Sequence, residues 1–289
     1  METDPDLLQL SDDMRAHVKA ADSAAAATDL RPLPFTELTR DLDPELRVSR
    51  SFSQYLSGSP LTSEEAGESL QRRRLSRAVL LEQGRALHPS SSDDELRSFL
   101  WLVNAWGYGT SGRGAARTRP VAEDPQFPVS ARLVLGVLHD TSRTTRAVDA
   151  YYLLNNSLHV TGWGPAFFTK FLTFADPSNQ PDFPTDPAGE PDSSGGHLPA
   201  LILDRWMATV ANYHLPVEVP QRVTRKTPLA TFRASGWTTP QYAYYLRLMS
   251  RLASQEPLKS SPYDGRAVAV ERALFDAARN RGGFPERAG

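Results

Sequence analysis

The segment 151–175 joins two apolar helical runs through a very short connection, and this restricts the fold more than any other feature of the sequence. The first run carries Tyr151, Leu154 and Leu158, the second is rich in phenylalanine, and only Val-Thr-Gly-Trp-Gly at 160–164 separates them. Glycine permits positive φ in a tight turn and leaves neighbouring N–H groups uncovered. Pro165 suits the first turn of a helix, where its missing N–H costs nothing. The segment therefore predicts a helix, a tight hairpin and a second helix.

The turn of this hairpin has the properties of an anion site. The N-terminus of a helix carries unpaired N–H groups and the positive end of the helix dipole, so it attracts negative charge. Gly162 and Gly164 add amides that no side chain covers, and Ala166 follows in the first helical turn. These three residues are the candidate DNA-binding groups, and the simplest ligand is one phosphate of a nucleic-acid backbone.

Two short motifs carry a family resemblance. Thr161-Gly162-Trp163-Gly164-Pro165, followed by Leu203-Asp204, resembles the helix-hairpin-helix DNA glycosylase superfamily, and more narrowly a bacterial group with the 8-oxoguanine DNA glycosylase fold. The resemblance implies a bundle with a cleft between two helical lobes, and double-stranded DNA as the partner. Alternating patterns of the β type are scarce in the sequence, which also favours an all-α fold, or nearly so.

Asp204 is the candidate catalytic residue. Removal of a base passes through a cation-like sugar ring, and a carboxylate beneath the ring stabilises that charge and orients or deprotonates the attacking water. In the resembled superfamily an aspartate at a helix start after the hairpin has this role, and Asp204 stands at a predicted helix start. Aspartate is also a common helix N-cap, so both roles remain open for it.

The lysine chemistry of the hairpin departs from the family pattern. Relatives that also cut the DNA strand carry a lysine two residues after the second glycine, where it forms a Schiff base, and this chain has Ala166 there. Lys170 follows one turn later on the same helix face, among phenylalanines that would favour a neutral, nucleophilic amine. Lys170 is therefore the candidate for an AP-lyase step. The alternative is a lysine directed at solvent or at a phosphate.

A base inside a duplex must rotate into a pocket before its bond to the sugar can be cut. Such pockets are bounded by aromatic or apolar side chains, and Trp106 and Phe168 are the candidates here. Either residue could instead belong to the core. The glycine-rich stretch 106–114 lacks a Gly-Lys-Ser/Thr ending, so it is a flexible connection or part of the site lining rather than a nucleotide-phosphate loop.

The composition excludes several cofactors and indicates where in the cell the protein works. The chain has no cysteine, which excludes an iron–sulfur cluster and a thiolate nucleophile, and no histidine pair has metal-ligand spacing. We expect no cofactor and no metal site, apart from a monovalent or hydrated cation that the resemblance allows at the hairpin carbonyls. Nothing approaches the roughly 20 apolar residues of a membrane helix. The expected location is cytoplasmic and nucleoid-associated, with no membrane partner.

Composition also suggests the domain organisation. Residues 1–31 are acidic and rich in alanine and predict a loosely ordered arm, while residues 32–289 predict a helical glycosylase-like domain. Inside that domain, residues 176–199 are rich in Pro, Asp, Ser and Gly and predict a mobile surface loop. This connection is longer than the family usually has, which costs little because loop-closure entropy grows slowly with length.

Two functional hypotheses from different classes follow. The first is a DNA glycosylase that extrudes a damaged or modified base, with an oxidised purine as the first candidate, and cleaves its N-glycosidic bond. Base-excision repair and defence against modified phage DNA would both use this chemistry. The second is a non-catalytic module that keeps the hairpin for binding DNA or protein. Ala166 and the net charge of −2 favour the second hypothesis, and Asp204 favours the first.

Overall fold

Helices make up nearly all the regular structure in the part of the chain that the structure describes. The structure, a computed structural model, describes residues 10–34, 38, 43, 45–56, 64–180, 197–216, 229–255, 258–260 and 265–284. Its α-helices are α1 (Asp12–Ala27), α2 (Arg50–Leu56), α3 (Glu64–Gln71), α4 (Arg77–Arg85), α5 (Asp93–Tyr108), α6 (Gly114–Glu123), α7 (Gln126–His139), α8 (Arg146–Asn155), α9 (Pro165–Ala175), α10 (Arg205–His214), α11 (Thr239–Ala253) and α12 (Ala267–Arg281). The prediction of an all-α fold is confirmed.

Within the described residues the strands form one short antiparallel pair. β1 (Leu46–Arg47) pairs with β2 (Arg74–Leu75), so that Leu46 lies opposite Leu75. A 3₁₀ turn, Pro177–Asn179, follows α9. None of the helices in the described segments is long and apolar enough to cross a membrane.

The chain divides into two compact units. Unit 1 comprises Met1–Leu42 and Thr185–Gly289, and unit 2 comprises Asp43–Pro184. Unit 2 contains α2 to α9 and therefore the hairpin, whereas unit 1 contains α1 and α10 to α12. The predicted boundaries, an arm at 1–31 and a domain at 32–289, stay a prediction.

α9 lies in the interior of unit 2. Its sequence is apolar on nearly every side, as expected for a helix that neighbours surround, and it packs against α4, α5, α7 and α8. Phe171 is fully buried, and its ring makes edge contacts with the rings of Phe99, Phe127 and Trp163. The second hairpin helix is therefore fixed in the core of its unit.

α11 has the corresponding place in unit 1, where it packs against α1 and α12. On α1 the small or branched residues Val18, Ala21 and Ala25 are buried, and their spacing puts them on one face of the helix. Asp22 pairs with Arg247 of α11 at 2.7 Å. The described part of the predicted arm, from residue 10 onward, thus contains a helix that packs on unit 1.

The stretch after α9 begins inside the core of unit 2. Asp176 is fully buried, lies 3.7 Å from the guanidinium of Arg146, and accepts hydrogen bonds from the backbone and hydroxyl of Ser178. Asn179 is buried as well. The predicted mobile loop at 176–199 therefore starts with five residues that are packed, while residues 181–196 lie outside the described part.

Candidate functional site

A tight turn joins α8 to α9. The backbone N–H of Trp163 donates to the carbonyl oxygen of Val160 at 3.0 Å and closes the turn. Gly162 has a φ of +84°, a conformation that an L side chain rarely adopts, so this position needs glycine. Pro165 is at the start of α9, as predicted. The helix, hairpin and helix that the sequence predicts are all present.

The first hairpin helix is shorter than the apolar pattern suggests. Leu158, which continues that pattern, lies in the turn rather than in α8, because the helix ends at Asn155. The N–H of Leu158 donates to the carbonyl oxygen of Leu153 at 2.7 Å, which is a turn bond five residues back. The connection between the two helices therefore spans residues 156–164.

The hairpin presents three uncommitted amides. Within the described part of the chain, the N–H groups of Gly162, Gly164 and Ala166 donate no hydrogen bond. Gly162 is exposed, Gly164 and Ala166 are partly exposed, and a Cβ placed on Gly164 would meet no atom within 4 Å. These groups lie at the N-terminal end of the buried helix α9, where the helix dipole places partial positive charge. The arrangement can bind an anion without rearranging.

Trp163 anchors the turn in the core. Only 1% of this residue is exposed, and its ring makes edge contacts with those of Phe127, Phe168 and Phe171 at 5.1, 6.2 and 5.3 Å between centroids. The residue between the two glycines is therefore held by side chains from α7 and α9. The amides on either side of it are fixed in direction as a consequence.

Lys170 is buried but reaches back toward the hairpin. The side chain is 7% exposed, and its Nζ donates to the carbonyl oxygen of Ala166 and lies 5.3 Å from the ring centroid of Phe167. Its methylene groups cross the last turn of α5, where a Cβ on Gly107 would lie 3.0 Å from Cδ of the lysine. The alternative of a lysine directed at solvent does not describe this arrangement. Its role as a nucleophile stays a prediction.

The two predicted pocket residues are both inside unit 2. Phe168 is 1% exposed and packs on Tyr151, while Trp106 is 6% exposed and packs on Phe174. Trp106 also belongs to α5 rather than to a loop, since that helix runs to Tyr108. The buried indole N–H of Trp106 donates to no residue that the structure describes. Neither ring is exposed enough in this structure to stack on a base, and their assignment to a pocket stays a prediction.

Asp204 is the N-cap of α10 in unit 1. Its Oδ1 accepts hydrogen bonds from the backbone N–H groups of Trp206 at 2.9 Å and Met207 at 3.1 Å. The residue is half-buried, and Oδ2 accepts no hydrogen bond from the residues described. One oxygen organises the helix start and leaves the other for a further partner. The capping role is confirmed, and the catalytic role stays a prediction that is compatible with it.

The described side chains offer little for a metal ion. Among them no group of three or more His, Asp or Glu residues lies close enough to hold one. A cation at the hairpin would need carbonyl oxygens, and that of Val160 already accepts the N–H of Trp163. The carbonyls of Thr161 and Gly162 accept no hydrogen bond from the described residues, so these two fit such a cation.

Of three residues near the hairpin, only Arg117 was not identified from the sequence, because Gly107 and Tyr108 belong to the stretch 106–114 that could line the site. Gly107 makes room for Lys170, Tyr108 stacks on Phe167 at 4.4 Å between ring centroids, and Arg117 lies beside the Tyr108 hydroxyl. Their relation to α9 depends on tertiary packing, which a single sequence does not reveal.

Comparison with known proteins supports the family resemblance. Residues 47–275 match the family described as "Putative 8-oxoguanine DNA glycosylase OGG-like protein". No curated protein and no solved structure matches the chain. The matched residues span most of the chain and include both the hairpin and Asp204. On this evidence the chain belongs to this OGG-like protein family.

Proposed function

We propose that this protein is a DNA glycosylase that binds double-stranded DNA through its hairpin, extrudes one base and hydrolyses the N-glycosidic bond of that base. Family membership supports the reaction class. An oxidised purine is the first candidate substrate, and the role is base-excision repair or defence against modified phage DNA. The observation that carries the proposal is the set of uncommitted amides at Gly162, Gly164 and Ala166, ahead of a helix that is fixed in the core.

In this proposal the hairpin binds the DNA backbone. A phosphate oxygen that accepts N–H bonds from Gly162, Gly164 and Ala166 gains charge-assisted hydrogen bonds and the favourable end of the α9 dipole. Because Trp163 fixes the turn, binding requires little ordering of the protein. Phosphate contacts of this kind set the position of the DNA and carry no sequence information. Recognition of the base must therefore reside elsewhere in the protein.

Asp204 supplies the chemistry in this proposal. As the bond to the base breaks, positive charge develops on the sugar, and a carboxylate oxygen next to the ring stabilises it. Oδ1 of Asp204 is held by two backbone N–H groups, so the orientation of the carboxylate is fixed before substrate binds. Oδ2 accepts no hydrogen bond from the described residues and is the oxygen that would face the sugar or the attacking water.

The substitution Asp204→Asn tests this assignment. Asparagine is as good an N-cap as aspartate, so the variant keeps the bonds to Trp206 and Met207 and loses only the charge. We expect base release from lesion-containing duplexes to fall by at least about 100-fold, with unchanged DNA affinity and thermal stability. Asp140→Asn is the matched control, because Asp140 also accepts a backbone N–H two residues on, from Ser142. Normal base release by Asp204→Asn would refute the catalytic role.

The non-catalytic module remains the second candidate because of Ala166. This residue replaces the lysine of strand-cutting relatives, and a chain that had lost catalysis would have no need of that lysine. A panel of duplexes, each with one oxidised, alkylated or deaminated base, or a base modified as in phage DNA, separates the candidates. Release of any base by the wild type supports the enzyme. Tight binding without release of any base supports the module.

A further inference from the structure

One side of α6 adjoins the hairpin turn. A Cβ placed on Gly162 would lie 3.6 Å from Cγ2 of Val121, so this valine packs directly beside the exposed glycine of the turn. Val121 itself is buried at 2% exposure. The last turns of α6 therefore lie next to the amides proposed to hold a phosphate.

Arg117 lies one turn before Val121 on the same side of α6. Residues four apart on a helix share a face, and the rise between them is about 6 Å. Arg119 is on the opposite edge of α6, where its guanidinium lies 5.0 Å from the ring centroid of Tyr55. Both arginines are exposed. Of the two, only Arg117 is on the hairpin side.

A second contact links Arg117 to α9. Tyr108, at the end of α5, stacks on Phe167 of α9 with 4.4 Å between ring centroids. Burial raises the pKa of the Tyr108 hydroxyl, and the guanidinium of Arg117 beside it opposes that rise. Phe167 directly follows Ala166, whose amide is one of the three uncommitted groups. Two independent chains of contact, through Val121 and through Tyr108, therefore place Arg117 beside the hairpin.

Arg117 differs from neighbouring arginines in its charge partners. Arg119 lies 4.0 Å from Glu123, and Arg97 and Arg132 both pair with Asp93. Among the described residues, Arg117 pairs with no carboxylate. No carboxylate of the described residues neutralises its charge, which leaves the guanidinium available to an incoming anion.

We propose that Arg117 binds a second phosphate of the strand that the hairpin holds, within one or two nucleotides of the phosphate bound by the hairpin amides. The inference rests on the DNA binding of the proposed function and extends its footprint along α6. One helical turn, a rise of about 6 Å, separates Arg117 from Val121 beside the turn, so we expect the second contact close to the first. The guanidinium also matches a phosphate in a bidentate geometry.

The salt dependence of DNA binding tests the proposal. The probe is a duplex with a single stable abasic-site analogue, and its dissociation constant is measured over a range of salt concentrations. For Arg117→Gln we expect the slope of log K against log salt to fall in magnitude by about 0.9, and affinity to weaken roughly threefold to tenfold. Arg117→Lys should keep most of the slope. Arg119→Gln removes the same charge from the other edge of α6 and should change neither quantity.

Neutral phosphate replacements locate the contact. In a series of probes, each with one methylphosphonate in place of a phosphate, the wild type should lose affinity at the hairpin phosphate and at a second position nearby. Arg117→Gln should be insensitive at the second position only. If the variant keeps the sensitivity of the wild type at every position, or if Arg119→Gln changes the slope equally, the assignment of Arg117 is wrong.

These results separate the two proposals. Binding does not require base release, so the Arg117 assignment can hold even if no base is ever released and the glycosylase proposal fails. Conversely, normal base release with an unchanged salt slope in Arg117→Gln overturns only the second phosphate contact. A wild type that binds none of the probes refutes both.

Discussion

The amine of Lys170 donates a hydrogen bond to the carbonyl oxygen of Ala166, the residue that stands where strand-cutting relatives carry a lysine. Side chains on a helix lean toward its N-terminus, so a long side chain reaches the level of a residue one turn earlier. Lys170 therefore places its amine at the level of residue 166, where the alanine side chain carries no nitrogen. The hydrogen bond also keeps the nitrogen at the hairpin end of α9.

This relationship predicts that Lys170 can form a Schiff base with the sugar. With a duplex that contains an abasic site, borohydride should trap a covalent adduct of the wild type, and Lys170→Gln should form at least about tenfold less. Lys259→Gln is the matched control, because Lys259 is exposed, and it should form as much adduct as the wild type. If the wild type forms no adduct but still releases bases, the enzyme acts by hydrolysis alone and Lys170 has no covalent role.

Gly107→Ala should displace the side chain of Lys170 without unfolding the protein. The added methyl would lie 3.0 Å from Cδ and 3.2 Å from Cε of Lys170, which are flexible atoms that can move aside. Because alanine favours a helix over glycine, the free energy of unfolding should stay within about 1 kcal/mol of the wild type. The yield of trapped adduct should nevertheless fall.

The control for this change is Gly136→Ala in α7. Its nearest atom would be Cγ of Pro89 at 4.0 Å, so the variant should gain up to about 1 kcal/mol of stability and keep the wild-type adduct yield. An unchanged yield in Gly107→Ala would show that the path of the lysine side chain over Gly107 does not matter for the reaction.

Substitution by alanine should have different effects at the two hairpin glycines, Gly162 and Gly164. Gly162 has φ of +84°, so alanine there is strained, and both stability and DNA affinity should fall, stability by about 1–2 kcal/mol. Gly164 has φ of −80° and no atom within 4 Å of an added Cβ, so Gly164→Ala should fold normally. The new methyl would still hinder a phosphate beside the amide, and affinity should fall several-fold. Chemical denaturation and DNA titration of both variants provide the comparison; full affinity in Gly164→Ala would contradict phosphate contact at this amide.

His214 should make unit 1 less stable in acid. Burial, followed by the charges of Arg31 and Arg251, lowers its pKa from 6.5 to about 4, while its Nδ1 accepts the backbone N–H of Arg31. In the unfolded chain His214 takes up a proton near pH 6.5, whereas in the folded chain it does so only near pH 4. The free energy of unfolding therefore falls as the pH drops through this window. The loss by pH 4.5 should be about 2–3 kcal/mol.

His214→Gln tests this assignment by urea denaturation at pH 4.5 and pH 7. The variant keeps a hydrogen-bond acceptor and has no proton to gain, so the difference in stability between the two pH values should shrink by most of the expected amount. If the difference stays as large as in the wild type, other groups account for the acid sensitivity.

The sequence predicted several local features well because their causes are local. Glycine at the positive-φ position 162, proline at the first position of α9 and an aspartate that caps α10 each follow from the conformational preference of one residue. The all-α fold follows from helical periodicity, and it too is confirmed. The early end of α8 was missed because the apolar pattern continues through Leu158 into the turn.

Features that depend on distant contacts could not be predicted in this way. The direction of the Lys170 side chain is set by Gly107, which is 63 residues earlier in the chain, and the burial of Trp106 by Phe174 and Arg77. Helical periodicity shows that a residue is on an apolar face but not which neighbour covers it. For the same reason the sequence could not distinguish Arg117 from Arg119, although they are on opposite edges of one helix.

The burial of Trp163 links the interior of unit 2 to whatever docks at the turn. An indole embedded among Phe127, Phe168 and Phe171 cannot shift unless those rings shift as well. If the turn binds DNA as proposed, a substitution in these rings changes the affinity for DNA without contacting it. Repacking this core would then affect ligand binding as well as the stability of the fold.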